Sequence, residues 1–330
     1  MTLNPKYSRI KKASGNDPRR NLALESVLFQ HLSDDELILY LWQNEPTVVI
    51  GRNQNPFKEC DLDALSKDGV HLVRRMSGGG AVYHDLGNLC FTFLAHDSIY
   101  DEKRQTGVIQ KALESAGIFS EFSGRNDLLF CGRKFSGNAY FHHKGYSYHH
   151  GTLLVNSELT RMPHYLKPDP EKLSLKGVDS VRSRVMNLTE ANPKLTVSLL
   201  EEYLEEAFAK EYGLIPEVLQ EDYEEEVSCE AKKFSDPSWI MGNFGNGDCS
   251  IRKRFPWGSV RISYTAKNCS MENVRIDSDA METGWVEELE RNLSGIPLNK
   301  DAVLTAIRNT ANFDAKEDLC AWIADKETIL

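Results

Sequence analysis

Arg74-Arg75-Met76-Ser77-Gly78-Gly79-Gly80-Ala81-Val82-Tyr83-His84-Asp85 sets two guanidinium forks directly before three glycines and a short polar-aromatic exit. The residues ahead of it, Val70-His71-Leu72-Val73, read as the end of a strand. Three glycines weaken a strand, and their use is to let a ligand lie directly on the main chain. Backbone N–H groups exposed in this way form an anion-binding nest, and Arg75 can add paired donors to a phosphate or carboxylate. A second segment, Arg125 to Ala139, has the same character and carries Lys134 between small residues in Gly132-Arg133-Lys134-Phe135-Ser136-Gly137. A lysine is a compact point charge that can follow a carboxylate as it becomes a mixed anhydride. Asn126-Asp127 offers oxygen ligands for Mg2+, or alternatively an Asx turn. Together these residues describe a site that activates a carboxylate with a nucleotide.

The glycine run fails two familiar tests. It is not G-x-x-x-x-G-K-[ST], and it is not G-x-G-x-x-G at a strand-to-helix turn, because strand follows it. His149 and His150 are adjacent on a predicted strand and therefore point to opposite faces, one lining a pocket and one outside it. His142-His143 reads as a solvated hairpin feature. Val48, Val49, Ile50, Phe91 and Phe93 are apolar neighbours able to wall a slot for an aliphatic chain.

The elements that must position these groups follow from local signals. Asp17-Pro18 opens a helix with Asp17 as N-cap and Pro18 in the first turn, and Leu22, Val27, Leu28 and Leu32 give it a buried face. Leu37 to Trp42 and Thr47 to Ile50 read as strands, and Asp61 to Lys67 as a short helix closed by Gly69. Val70 to Arg74 and Leu89 to Ala95 are predicted strands flanking the glycines, and Glu102 to Gly117 a helix. Asp127 to Phe130 and Lys134 to Phe141 read as paired strands, with Tyr146 to Val155 reached through a Lys144-Gly145 turn. Val197 to Lys210 reads as an acidic helix. The acidic stretch from Glu217 to Pro237 reads as a solvated linker or helix face at a domain boundary. Beyond it, strands at Ile251 to Phe255, Val260 to Thr265 and Val274 to Ile276, then helices at Thr283 to Leu293, Lys300 to Asn309 and Glu317 to Ala324, form an α+β module. The expected division is residues 1–230 as the catalytic domain and 231–330 as an accessory domain.

Composition narrows the class. A chain of 330 residues holds one large domain and a small one. Its net charge of −10 argues against a nucleic-acid binder, so the Arg74-Arg75 pair is local chemistry. There is no apolar run long enough to span a membrane. Seven scattered cysteines without a C-x-x-C pair read as reduced thiols, and a cytoplasmic protein is the expectation.

Five ordered blocks then carry a resemblance. They are TVVIGRNQNPFKEC (47–60), RRMSGGGAVYHDLGN (74–88), SGRNDLLFCGRKFSGNA (123–139), HHGTLL (149–154) and KGVDSVRSRVMNL (176–188). In type, order and spacing the chain resembles lipoate–protein ligases of the two-domain bacterial type. The resemblance implies the biotin/lipoate-ligase α/β fold, a mixed sheet with packed helices, plus a small α+β C-terminal domain. It implies that lipoate and ATP form lipoyl-AMP with release of pyrophosphate. The acyl group then passes to a lysine of a lipoyl carrier, either a 2-oxo acid dehydrogenase acyltransferase subunit or the glycine-cleavage H protein. By residue, it implies Arg75, Gly79, Gly80, Ala81, Val82 and Tyr83 at the nucleotide and phosphate. It places Lys134 at both substrates, and Leu22, Val49, Arg75, His84 and His150 around the acyl chain. Asp127 falls at a Mg2+ contact, the ion arriving with ATP. The accessory domain of such ligases changes orientation between the two half-reactions. Rival readings are an ATP-independent octanoyl or lipoyl transferase with a cysteine carrier, for which Cys131 is the candidate, a biotin ligase, and a non-catalytic lipoate-binding protein.

Overall fold

The structure is a computed structural model and describes residues 3–123, 126–167, 185–220, 223–244, 247–311 and 313–326. Arg125 and residues 176–184 of the last sequence block lie outside the described residues. The chain divides into two units. The first comprises Met1–Val49, Glu59–Val73 and Val82–Asp236; the second comprises Ile50–Lys58, Arg74–Ala81 and Pro237–Leu330.

The first unit is built on an eight-stranded sheet in the order β11-β1-β2-β6-β10-β9-β8-β7. Its strands are β1 (Tyr7–Lys12), β2 (Glu36–Trp42), β6 (Asn88–His96), β7 (Glu121–Ser123), β8 (Asp127–Phe130), β9 (Arg133–His143), β10 (Tyr146–Leu154) and β11 (Glu217–Val218). β1 runs parallel to β2 and β11, and the other pairings are antiparallel. A smaller sheet has the order β4-β3-β5, from His71–Arg74, Thr47–Ile50 and Val82–His84. The β9–β10 turn uses Lys144 and Gly145 at φ 52° and 84°, the left-handed pair that a tight hairpin needs.

Each face of the large sheet is covered differently. Helices Glu102–Ser115 and Val197–Tyr212 bury Val108, Ile109, Leu113, Leu200, Leu204 and Phe208 against Leu39, Phe91, Phe93 and Leu153. Each such side chain contributes roughly 1.5–3 kcal/mol by leaving water. The other face receives the first helix, Pro18–Gln30, whose Phe29 packs edge-on to Phe141 and Tyr148. That helix starts as its sequence dictates: the Asp17 side chain accepts from Arg19 N, and Pro18 stands in the first turn.

The acidic stretch is not a linker throughout. Glu224–Ser235 is a helix of the first unit, tied to the first helix by Arg20–Glu224 (2.6 Å), His31–Glu226 (2.6 Å) and Ser26–Glu230 (2.9 Å) contacts. Its acidic side chains meet specific partners, which charge patterning alone does not reveal. The units separate between Asp236 and Pro237.

The second unit holds an antiparallel sheet of β12 (Cys249–Phe255), β13 (Gly258–Lys267) and β14 (Ser270–Ser278). Helices Gly284–Leu293, Lys300–Arg308 and Lys316–Ala324 pack on one face of it around Trp285, Val260, Ile262, Leu289 and Ile307. The segments 50–58 and 74–81 belong to this unit, so the glycine run groups with the C-terminal module.

Candidate active site

Lys134 lies near the start of β9, beside a β-bulge in its pairing with β8. Its main-chain oxygen accepts from Met186 N at 2.9 Å, which holds the strand end in place. Its Nζ lies 2.7 Å from Asp127 Oδ1 on β8, and each of the two side chains is 36% exposed. The aliphatic stem crosses Gly137: a Cβ there would stand 3.2 Å from the Lys134 Nζ and 3.4 Å from Cε. Glycine at 137 therefore gives the lysine its track. Gly137 N donates to Thr152 Oγ1 at 3.2 Å, Thr152 pairs with Cys90, and Cys90 Sγ lies 3.6 Å from His84 Nδ1. One face of the sheet thus leads from Lys134 to His84.

A buried polar network continues on that face under the first helix. His150 Nδ1 donates to Glu25 Oε1 at 2.8 Å, and Thr92 Oγ1 donates to the same oxygen at 2.7 Å. Trp42 Nε1 donates to Thr92 Oγ1 at 3.2 Å. Asn21 Nδ2 donates to Asn44 Oδ1 (3.0 Å), and Asn44 Nδ2 donates to His84 Nδ1 (3.2 Å). Glu25, His150, His84, Thr92 and Asn44 are all buried. Carboxylates and imidazoles seldom sit this deep unless paired, and here each finds a partner. Leu22 and Val49 are buried as well, Val49 pairing with Val82 across β3 and β5. Tyr83 is buried and stacked on Tyr165 at 5.6 Å; burial pushes its phenol up to about 12.

The two histidines take opposite faces, as alternation requires, but neither is outside the protein. His149 faces the helix-covered side, its Nε2 donating to Asn138 Oδ1 at 2.8 Å and its ring edge-on to Phe91 at 5.3 Å. Burial lowers its pKa to about 3, with a further push from His150, so it is a neutral core residue. Phe91 and Phe93 share that side; Phe93 touches Phe208 of Val197–Tyr212. They belong to the core and do not wall a slot beside Lys134. The alternate residues Cys90 and Thr92 face the site instead. Glu25, Thr92, Asn44 and Cys90 escaped sequence reading. The signal for Glu25 was a carboxylate, four residues after Asn21, placed within the apolar stripe of the first helix. His142 and His143 are exposed at the hairpin end of β9, as expected.

In the second unit Arg75 is buried and turned on its own loop. Its Nε donates to Ser77 Oγ (3.0 Å), and its Nη2 donates to the carbonyls of Gly78 (2.5 Å) and Gly80 (2.9 Å). The guanidinium gathers the loop carbonyls and fixes the loop's shape. The three glycines are not equivalent. A Cβ on Gly78 would stand 2.3 Å from Ala280 O and 2.4 Å from Met281 O. Gly79 has φ +88° and its N donates to Ala280 O at 3.1 Å. Gly80 has nothing within 4 Å of its Cβ position. Close packing within the unit explains the first two, and only at the third would a side chain meet open space. Ala81 closes the segment before Val82.

No group of three or more metal-ligating side chains occurs among the described residues. Asp127 serves Lys134 as counter-ion. A single carboxylate still suits Mg2+, which keeps several waters and takes phosphate oxygens with it. Cys131 is exposed at the β8–β9 turn with φ 49°. No helix among the described residues is long and apolar enough to cross a membrane.

Similarity to known proteins gives the family of the chain. Residues 17–209 match the family model for the lipoyl protein ligase A/B catalytic domain, and residues 248–323 match that for the bacterial lipoate protein ligase C-terminus. The crystal structure of P. falciparum LipL1 in complex with lipoate is similar over 97% of this chain and 100% of that one, at 27% identity and a TM-score of 0.84. The bi-partite lipoate protein ligase from Thermoplasma acidophilum, studied with its E2 lipoyl domain, matches 74% of this chain and 99% of its own at 27% identity and a TM-score of 0.63. A lipoate-protein ligase A bound with ATP matches 72% and 99% at 25% identity and a TM-score of 0.63. With its mixed sheet and both family regions in order, the chain belongs to the lipoate–protein ligase family, of the type that carries the bacterial C-terminal domain.

Proposed function

We propose that this protein activates lipoate with ATP to lipoyl-AMP and transfers the lipoyl group to a lysine of a lipoyl carrier domain. The observation that carries the reading is Lys134, drawn across Gly137 onto the same sheet face as the buried His150–Glu25–Thr92 network. A carboxylate is a poor acyl donor because oxide or hydroxide is a poor leaving group. Attack of a lipoate oxygen on the α-phosphorus of ATP forms the mixed anhydride and expels pyrophosphate. The carrier lysine, as a neutral amine, then attacks the acyl carbon and expels AMP. Lys134 supplies one positive charge to the oxygens that carry negative charge in both steps, exchanging Asp127 for substrate. Asp127 is the protein carboxylate that would hold Mg2+ arriving with ATP, and the ion would supply neutralisation of phosphate charge there. Leu22, Val49, His84 and His150 line the acyl chain. Arg75 shapes the glycine run through its bonds to Ser77, Gly78 and Gly80, and the Gly79–Tyr83 segment receives the nucleotide. ATP in one relative and lipoate in another support the same substrates here.

The carriers are lipoyl domains of 2-oxo acid dehydrogenase acyltransferase subunits, a class supported by the relative studied with its E2 lipoyl domain, and the glycine-cleavage H protein. A cytoplasmic setting is part of the proposal, from the scattered cysteines without a C-x-x-C pair.

The cysteine-transferase reading draws on the Cys90–His84 approach at 3.6 Å. Burial pushes the Cys90 thiol well up, the reverse of what a nucleophilic thiolate needs. Pyrophosphate release with lipoate, octanoate and biotin, without and then with carrier, tests the ligase reading. Lipoate-dependent release without carrier is expected. Acyl transfer without ATP that is lost in Cys90→Ala or Cys131→Ala would overturn it in favour of the transferase.

A further inference from the structure

One face of the C-terminal sheet is filled by the helices; the other carries a concentration of cations. Strand register sets Arg252 opposite Arg261, Arg261 opposite Asp277, Ser250 opposite Ser263 and Ser263 opposite Arg275. Alternation puts all of these on the face away from Val260, Ile262 and Ile276, which lie in the core. Lys58 joins them from the 50–58 segment of the same unit, its Nζ 3.4 Å from Asp277 Oδ2, and Arg261 Nε lies 3.6 Å from the same oxygen. Lys58, Arg261 and Arg252 thus act on the Asp277 carboxylate, and Arg275 lines the same cavity, in a chain whose net charge is −10. Both members of the Lys58–Asp277 pair are pushed toward their neutral forms by burial, and Arg261 and Arg252 add repulsion at Lys58.

Beside it is a polar cavity of about 100 Å3, lined by Asn55, Lys58, Ser250, Ser263, Arg275 and Asp277 among others. A water needs roughly 10–15 Å3 of such space, so several oxygen positions fit. Arg275 spends one donor on Val274 O at 2.7 Å; a guanidinium has others. Ammonium, guanidinium, hydroxyls and an amide are the donors that tetrahedral oxyanions take.

We propose that this cavity is a binding site for a small oxyanion of the phosphate class, held by Lys58, Arg275, Ser250 and Ser263. A multiply charged anion is attracted by the Lys58 ammonium and the Arg275 guanidinium, whereas a metal cation is repelled by them. Bound there, it ties the 50–58 segment to β12–β14. Gly51 of that segment meets the glycine run directly, a Cβ on it standing 2.2 Å from Gly79 O, so the anion stiffens the platform on which the run sits. Free phosphate and pyrophosphate share this chemistry.

The test is isothermal titration of the full chain with inorganic phosphate, then pyrophosphate, at constant ionic strength. One saturable phosphate site is expected. Lys58→Gln and Arg275→Gln should each weaken it about tenfold or more, the range for hydrogen bonds to charged groups. The Ser250→Ala/Ser263→Ala double variant should weaken it while leaving every charge in place. Asp277→Asn should tighten it, since a competing negative charge is removed. Lys134→Ala should leave the phosphate site intact, which separates it from any anion held at the catalytic lysine. A tighter pyrophosphate isotherm with the same variant pattern assigns the site to pyrophosphate; equal or weaker binding assigns it to phosphate. No saturable phosphate binding, or binding lost in Lys134→Ala and kept in Lys58→Gln and the serine variant, overturns the proposal.

Discussion

Three successive glycines invite one explanation, yet their surroundings call for three different responses to alanine. At Gly78 the new methyl would lie 2.3 Å from Ala280 O, 2.4 Å from Met281 O and 2.8 Å from Met281 C. Ordinary van der Waals separations are about 3.5 Å or more, so backbone must retreat by roughly 1 Å. Overpacking of this kind costs about 1–3 kcal/mol. Ala280 O also accepts from Gly79 N, and losing that bond adds about 1 kcal/mol. Gly78→Ala should therefore destabilise the C-terminal unit by about 2–4 kcal/mol, a fall of roughly 10 °C in its transition. Gly79→Ala places a Cβ at φ +88° and 3.0 Å from Arg75 Nη2, for about 1–2 kcal/mol. Gly80→Ala meets nothing within 4 Å and should stay within about 0.5 kcal/mol of the parent. If ligand lies on the open part of the loop, Gly80→Ala nevertheless loses adenylation. The assays are thermal unfolding, amide exchange on β12–β14 to separate the units, and lipoate-dependent pyrophosphate release. An unshifted transition and unchanged exchange in Gly78→Ala would refute the packing argument. Equal destabilisation by Gly80→Ala would refute the division of roles.

Lys134→Ala should lower adenylation by about 10²–10³, the usual effect of removing one contact to developing charge, with circular dichroism unchanged. Lys134→Arg should also fail, because a planar fork does not replace a point charge at the end of the Gly137 track; half the parent rate in either variant would misplace the site. Glu25→Ala removes the shared acceptor of His150 Nδ1 and Thr92 Oγ1 and should cost about 1–3 kcal/mol and weaken lipoate binding, as read by unfolding and titration. His149 is held at a pKa of about 3 against an unfolded value near 6.5, so the unfolded chain binds the extra proton first. Stability from this group is intact above pH 6.5 and falls as pH drops through the window down to about 3, by up to about 1.4 kcal/mol per unit. Acid unfolding of His149→Gln should be flatter there; an identical pH dependence would sink this assignment.

Much of the fold was legible because local signals agree with tertiary packing. Asp17-Pro18 and Asp61 cap their helices, Lys144-Gly145 makes the hairpin, and the three C-terminal helices lie within about a residue of their predicted bounds. β1 and the two-residue β11 were missed: an edge pair joined parallel across more than 200 positions has no local turn to announce it. Residue type and spacing likewise brought Lys134 and Asp127 forward, since Asp127 to Lys134 is a single hairpin. Sequence could not say that Cys90 and Thr92 face the site while Phe91 and Phe93 face the core. An all-apolar-looking strand covered on both sides shows no polar face, and only its neighbours choose the face. Nor could it show that Gly78 answers to Ala280 and Met281, some two hundred residues away. The sequence by itself determined the chemistry available and the elements that carry it. Tertiary structure decided which glycine is packing and which is open, which histidine is core and which joins Glu25, because those roles depend on atoms brought close only by the fold.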